Sequence, residues 1–204
     1  MNFSGVRAWV SGANGFVGSA VVRALVREGA QVFGGVREGS DLYRLRDLRG
    51  ALQLTPCDLA DPTAVNVALA RARPEWVFHC VSSTWHPGNP SGRREEFTAS
   101  VLGTFHLCEA LRAHPPLGIV HLSSSQEGAA AEGAESFLPT SFRGTAKASA
   151  SLLLAQCARE LGVHFTVLRL SSVYGPWQQP DRVVARLISA ALSGAPPEII
   201  PPPV

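Results

Sequence analysis

The stretch VSGANGFVG, residues 10–18, constrains the fold more than any other part of the chain. A short apolar run, RAWV, leads into it. A helical pattern leaves it: Phe16, Ala20 and Ala24, with Val17, Val21 and Leu25, recur at the spacing of one helix face, and Gly29 follows the end. Glycines permit a tight strand-to-helix turn, close approach of the backbone to a ligand, and close helix packing. A helix reached through such a turn offers its first N–H groups and a positive dipole end to phosphate oxygens. The stretch therefore predicts a dinucleotide site built on Gly12, Asn14, Gly15 and Gly18.

The rest of the chain alternates in the way this site requires. Apolar runs QVFGGVR, ALQLTPCD, EWVFHCVS, LGIVHLSS and HFTVLRLSS read as five further strands. Helical patterns over 62–73, 94–114 and 144–161 separate most of them. Strands alternating with helices of this length predict an α/β fold: a Rossmann-like, doubly wound parallel sheet with helices on both faces. Near-continuous apolar strands fit burial on both sides. With 204 residues, one main domain is expected. Residues 1–180 are read as the dinucleotide-binding domain, and 181–204 as a remnant or the start of a minimal or truncated substrate-binding part.

The strand ends refine the ligand. An acidic residue closing the second strand would bind the ribose 2′-hydroxyl of NAD. Arg37 stands there instead, followed by Glu38, and arginine matches a 2′-phosphate by charge and fork geometry. Ser40 and Arg44 are near enough to assist. The expected cofactor is NADP(H). In PCDLAD, Asp58 is placed to accept from an adenine amino group and Leu59 to cover the ring. Asp61, just before Pro62, is the better cap for the next helix.

Composition excludes several other classes. The net charge is only +2, too little for a nucleic-acid or polybasic membrane surface. No apolar run approaches the roughly 20 residues of a membrane span, and MNFSGVRAWV leads into a strand without a signal-peptide pattern. Cys57, Cys80, Cys108 and Cys157 are scattered, as reduced thiols of a cytoplasmic protein would be. The histidines lack metal-ligand spacing, so no metal is expected. Of 18 basic residues one alone is lysine, Lys147. In a chain whose Ala, Arg, Gly and Pro content points to a GC-rich genome, that lysine invites a functional reading.

The motifs GANGFVG, CDLAD, VFHCVS, VHLSSS, RGTAK and LRLSSVYGP occur in this order through almost the whole chain. In this the sequence resembles the extended short-chain dehydrogenase/reductase family, the NAD(P)-dependent epimerase/dehydratase group. The resemblance implies a dinucleotide lying across the C-terminal edge of the sheet. It implies backbone contacts from Phe16 and Val17 to the pyrophosphate, and cofactor contacts from Cys80, Val81, Ser82, Ser100 and Ser123 and from Leu170, Ser171, Ser172 and Val173. Ser125 matches the serine that holds the substrate oxygen, with Ser124 as its neighbour if the register slips. Lys147 matches the lysine that grips the nicotinamide ribose. The helices over 94–114 and 144–161 are those with which members pair, so a homodimer is expected.

Three positions depart from the pattern. Arg143 stands where the catalytic tyrosine would be, four residues before Lys147. Serines, Ser100 and Ser172, replace two asparagines. The chain also ends where members continue into a substrate-binding domain. Arginine is a donor with no lone pair to act as base, so Arg143 is expected to anchor or stabilise an oxyanion while another group, such as His86, supplies the proton. Tyr43 lies near the adenosine end, Tyr174 reads as structural, and so do His79 and His121 inside their strands. The leading expectation is an NADPH-dependent ketoreductase acting on a small carbonyl compound, for example an aromatic polyketide of antibiotic biosynthesis. A non-catalytic NADP-binding sensor or partner protein and a nucleotide-sugar epimerase or dehydratase are the alternatives.

Overall fold

The computed structural model describes residues 2–82, 91–128, 139, 141–194 and 196. Its centre is one six-stranded sheet, entirely parallel, in the order β3-β2-β1-β4-β5-β6. The strands are β1 (Arg7–Ser11), β2 (Gln31–Val36), β3 (Leu52–Pro56), β4 (Trp76–His79), β5 (Gly118–Ser124) and β6 (His164–Leu170). Strand order reverses between β1 and β4, and a crevice opens beyond the C-terminal ends of strands at such a point. The doubly wound sheet predicted from the sequence is the one observed.

Helices α1 (Phe16–Arg27), α2 (Pro62–Ala72), α3 (Gly92–Phe97), α4 (Gly103–Leu111) and α5 (Phe142–Leu161) surround this sheet. Alternation along β1 builds the core on both faces. Trp9 joins Phe33, Val77 and Ile119 against Val65 and Leu69 of α2, Leu107 of α4 and Leu154 of α5. Ala8 and Val10 point the other way, with Val32, onto Val22 and Leu25 of α1. Fully burying each large aliphatic side chain contributes about 1.5–3 kcal/mol before the entropy of ordering is counted.

Local chemistry fixes the helix limits. Asp61 caps α2 by accepting from the Thr63 amide at 2.8 Å, with Pro62 at the first position, as its placement before Pro62 suggested. Helix α5 begins at Phe142, earlier than the expected 144, because the Ser141 hydroxyl caps it by accepting from the Gly144 amide at 3.0 Å. The helix expected over 94–114 is instead α3, a π-helical turn over Thr98–Leu102, and α4. A π turn shifts the bonding by one residue and carries no sequence period. A 3₁₀ segment, Tyr43–Leu48, was not foreseen.

The chain divides into two compact units, Met1–Ser171 and Ser172–Val204. The sheet belongs to the first. The second contains α6 (Val183–Ser193), ended by Gly194 in the left-handed region at φ 69°.

Candidate functional site

The turn after β1 has the shape of a phosphate cradle. Gly12 has φ +65°, and a Cβ on Gly18 would lie 2.1 Å from the Gly12 carbonyl oxygen, a distance that excludes any side chain. The first turn bond of α1 is Ser19 N–H to Gly15 O at 2.9 Å, so the N–H groups of Phe16, Val17 and Gly18 precede the helical ladder. No side chain caps this end and no acidic residue occupies its first turn. These features fit the pyrophosphate of a dinucleotide, with the dipole end favouring its charge.

The segment after β2, where the sequence places the adenosine ribose, packs against the glycine turn. The amide of Asn14 donates to the Asp41 carbonyl at 3.3 Å. Buried Arg44 donates to the Asn14 carbonyl at 3.4 Å and lies 4.4 Å over the Tyr43 ring. Arg37 is exposed, and its carbonyl accepts from the Ser40 amide at 3.2 Å. Asp58 is exposed and accepts from the Ala60 amide at 2.9 Å. Leu59, expected over the adenine, is 5% exposed and packs with Cys57, Val65 and Leu107 in the core.

Across the crevice, α5 delivers Arg143 and Lys147 to the ends of β4 and β5. One turn separates them, which puts both cations on one helix face. Lys147 is 4% exposed, and its ammonium donates to the carbonyls of Val81 at 2.7 Å and Leu122 at 3.3 Å. Lys147 is held down at about 8, chiefly by burial and with the Arg143 charge acting in the same direction, while Glu96 above all opposes the shift. The Arg143 guanidinium donates to the Ser82 hydroxyl. The structure thus joins Val81, Ser82, Arg143 and Lys147. Gly144 makes this possible, since a Cβ there would fall 2.0 Å from the Gln126 carbonyl oxygen.

Other expected residues have different engagements. Ser125 is exposed, while Ser124 caps the short turn that follows β5 by accepting from the Gln126 amide at 3.2 Å. Ser123 and Ser100, expected at the cofactor, are buried and spend their hydroxyls on carboxylates. Ser123 donates to Glu127, and Ser100 donates to Glu96 at 2.5 Å. Polar groups that far from water must find a partner inside the protein. Leu170 is half-buried; Ser171, Ser172 and Val173 are exposed. Tyr174, read as structural, is exposed. Cys80 is half-buried, and burial raises its thiol to about 12, which makes it a poor nucleophile. His86 lies outside the described residues.

Glu127 and Glu96 are buried acids that the sequence reading missed. Glu127 accepts from Ser123, from Ser151 at 2.5 Å and from Arg169 at 2.7 Å. These bonds outweigh its burial and hold the carboxyl below its ordinary value. For Glu127 the available signal was an acid three residues past the end of β5, just before Gly128. Among the described residues no group of His, Cys, Asp and Glu could hold a metal ion, and no helix is long and apolar enough to cross a membrane.

Comparison with known proteins agrees with this geometry. A dTDP-glucose 4,6-dehydratase of Mycobacterium tuberculosis is 28% identical over 95% of this chain. A trifunctional UDP-glucose 4,6-dehydratase, epimerase and reductase of Arabidopsis thaliana is 29% identical over 92% of it. The UDP-glucose 4-epimerase of Thermotoga maritima, solved with UDP-glucose, superposes with a TM-score of 0.79 at 26% identity. That superposition covers 92% of this chain and 63% of the epimerase. The chain spans 61% of the length of the mycobacterial enzyme and 30% of the plant one. The family model of NAD dependent epimerases/dehydratases matches residues 8–202, and to that family this chain belongs.

Proposed function

We propose that the chain binds a nicotinamide dinucleotide and works on nucleotide-linked sugars, the substrate class named for its relatives, in the direction that reduces a carbonyl. The observation that carries the reading is the pair of cations on one face of α5, Arg143 and buried Lys147, beside a turn shaped for pyrophosphate. When bound, the cofactor supplies or accepts a hydride. Lys147 orients the ribose through an ammonium already fixed by two carbonyls. Arg143 stabilises negative charge as it develops on a substrate oxygen. With no acceptor atom, Arg143 serves alcohol oxidation poorly. The names of the relatives support sugar nucleotides over an aromatic polyketide, so the antibiotic-tailoring ketoreductase gives way as the leading reading.

NADP(H) is the proposed cofactor, supported by exposed Arg37 just after β2 and by buried Arg44, which bonds the Asn14 carbonyl of the glycine turn. The test titrates NAD(H) and NADP(H) by nicotinamide fluorescence. It then offers UDP-glucose, dTDP-glucose and a 4-keto sugar nucleotide, following nicotinamide absorbance. Binding with consumption of reduced cofactor on the keto compound supports the reading, and absence of binding to any nicotinamide dinucleotide removes it. Binding without turnover in either direction assigns the chain to cofactor binding alone. The contact that engages Arg143 with Ser82 favours this second reading.

A further inference from the structure

A buried chain of hydrogen bonds crosses the base of the crevice and belongs to none of the roles above. Backbone pairing of β1 with β4 ends at Ser11 opposite His79. Beyond that pair the Cys80 amide donates to the Ser11 hydroxyl oxygen at 3.2 Å, so a side chain continues the ladder where the strands part. Ser11 contacts Nδ1 of His79 at 2.8 Å. Nε2 of His79 contacts the Thr104 hydroxyl at 2.9 Å. Thr104 donates to the Ser100 carbonyl at 2.6 Å, and Ser100 donates to Glu96. All five side chains are buried.

One placement of protons satisfies the chain. The Thr104 hydrogen is committed to the Ser100 carbonyl, so its oxygen accepts from Nε2–H of His79. In a neutral ring Nδ1 is then the acceptor, and the Ser11 hydroxyl donates to it while accepting from Cys80. Burial disfavours the charged ring. His121 stacks on the same ring, centroids 5.2 Å apart at 24°, and fixes its plane.

We propose that His79 is a positioning residue for the dinucleotide: held in its Nε2–H form by Thr104, it keeps the Ser11 hydroxyl on the Cys80 amide and so sets the gap between the Gly12 turn and the Val81 carbonyl that anchors Lys147. Ser11 directly precedes Gly12, and Cys80 directly precedes Val81, so the bond between them spans the two walls of the cofactor crevice. The inference rests on the cofactor-binding reading above.

The test measures nicotinamide dinucleotide affinity by fluorescence in the full chain, together with the nitrogen-15 shifts of His79. Ser11→Ala and Thr104→Val should each weaken binding roughly tenfold, the scale of one lost buried hydrogen bond. Thr104→Ser should restore it. Val65→Ala, a core variant on α2, should lose stability yet keep its affinity. The unmodified protein should show the Nε2–H tautomer. Binding by the unmodified protein with unchanged affinity in Ser11→Ala overturns this inference alone. The Nδ1–H tautomer also overturns it, whatever the cofactor does. If Thr104→Val does not fold, Ser11→Ala decides. No binding by the unmodified protein removes the functional reading, and this inference with it.

Discussion

The Arg143 guanidinium donates to the Ser82 hydroxyl, tying the first turn of α5 to the loop that leaves β4. Where the family resemblance expects a proton donor and acceptor, this chain has a fixed cation held by a neighbour across the crevice. If that cation stabilises a developing alkoxide, Arg143→Ala should slow carbonyl reduction by at least about tenfold and up to the roughly hundred- to thousandfold that losing one donor to an oxyanion costs. Arg143→Tyr should raise alcohol oxidation relative to reduction, because a phenol can exchange a proton. Rates in both directions on a sugar nucleotide and its keto form check this. Unchanged reduction in Arg143→Ala would reduce the contact to a structural tether.

Lys147 makes the site sensitive to pH. Its folded value is depressed to about 8 from 10.5, burial being the largest cause. Between these values the unfolded chain binds more protons than the native one, so stability rises with pH across that window. The charged form costs on the order of 3 kcal/mol below it. Lys147→Met, similar in size and without charge, should abolish that rise in urea titrations at a series of pH values. Cofactor affinity should move oppositely and fall as pH climbs through about 8, when the ammonium is lost. Arg143→Ala should carry this break to higher pH, since the Arg143 charge lowers Lys147.

Arg37 gives the cofactor preference a direct check. Arg37→Ala should weaken NADP(H) binding by roughly ten- to a hundredfold, as expected for losing a charge-assisted contact, and leave NAD(H) affinity nearly unchanged. Equal losses for both cofactors in parallel titrations would show that Arg37 does not read a 2′-phosphate.

Glycine at 144 is required by proximity alone. Gly144→Ala would drive a methyl group against the Gln126 backbone carbonyl, 2.0 Å away, and neither partner is a flexible side-chain end. Overpacking of this kind costs about 1–3 kcal/mol or more. The same displacement would move Arg143 and Lys147 together. Chemical denaturation should show the loss of stability, and cofactor affinity should fall with it.

Much of the scaffold was readable because its signals are local. The six strands are apolar runs, the glycine turn is a contiguous motif, and Asp61 before Pro62 is a cap with a known geometry. Helix α6 was not among the expected elements, residues 181–204 being read only as a remnant or start of a substrate-binding part, although VVARLISAALS is amphipathic. The π turn has no period of its own to detect. The buried chain through His79 joins residues 25 and 68 positions apart in sequence. A histidine within VFHCVS therefore looks like any strand histidine until the sheet places Ser11 beside it and α4 places Thr104 over it. Ser100 and Ser123, placed at the cofactor by the resemblance, each have an acid only four residues away, Glu96 and Glu127, but it is the burial imposed by the fold that turns each hydroxyl onto its acid.

Association is the last expectation to test. Helices α3, α4 and α5 leave Phe97, Phe105 and Leu152 more than 45% exposed, and large apolar side chains gathered on neighbouring elements mark contact surfaces more often than isolated ones do. α4 and α5 belong to the helices that the sequence resemblance expects to pair. A homodimer through them would remove these side chains from water and bring two copies of α5, with their Lys147 residues, into one rigid body. Light scattering should then give a dimer mass that persists on dilution to micromolar protein. Phe105→Glu and Leu152→Glu, placing charge in such an interface, should each yield monomers whose thermal stability falls and whose secondary structure is retained. A monomer at high concentration in the unmodified protein would leave these side chains as scattered surface apolar groups, and the two glutamate variants would then be silent in both measurements.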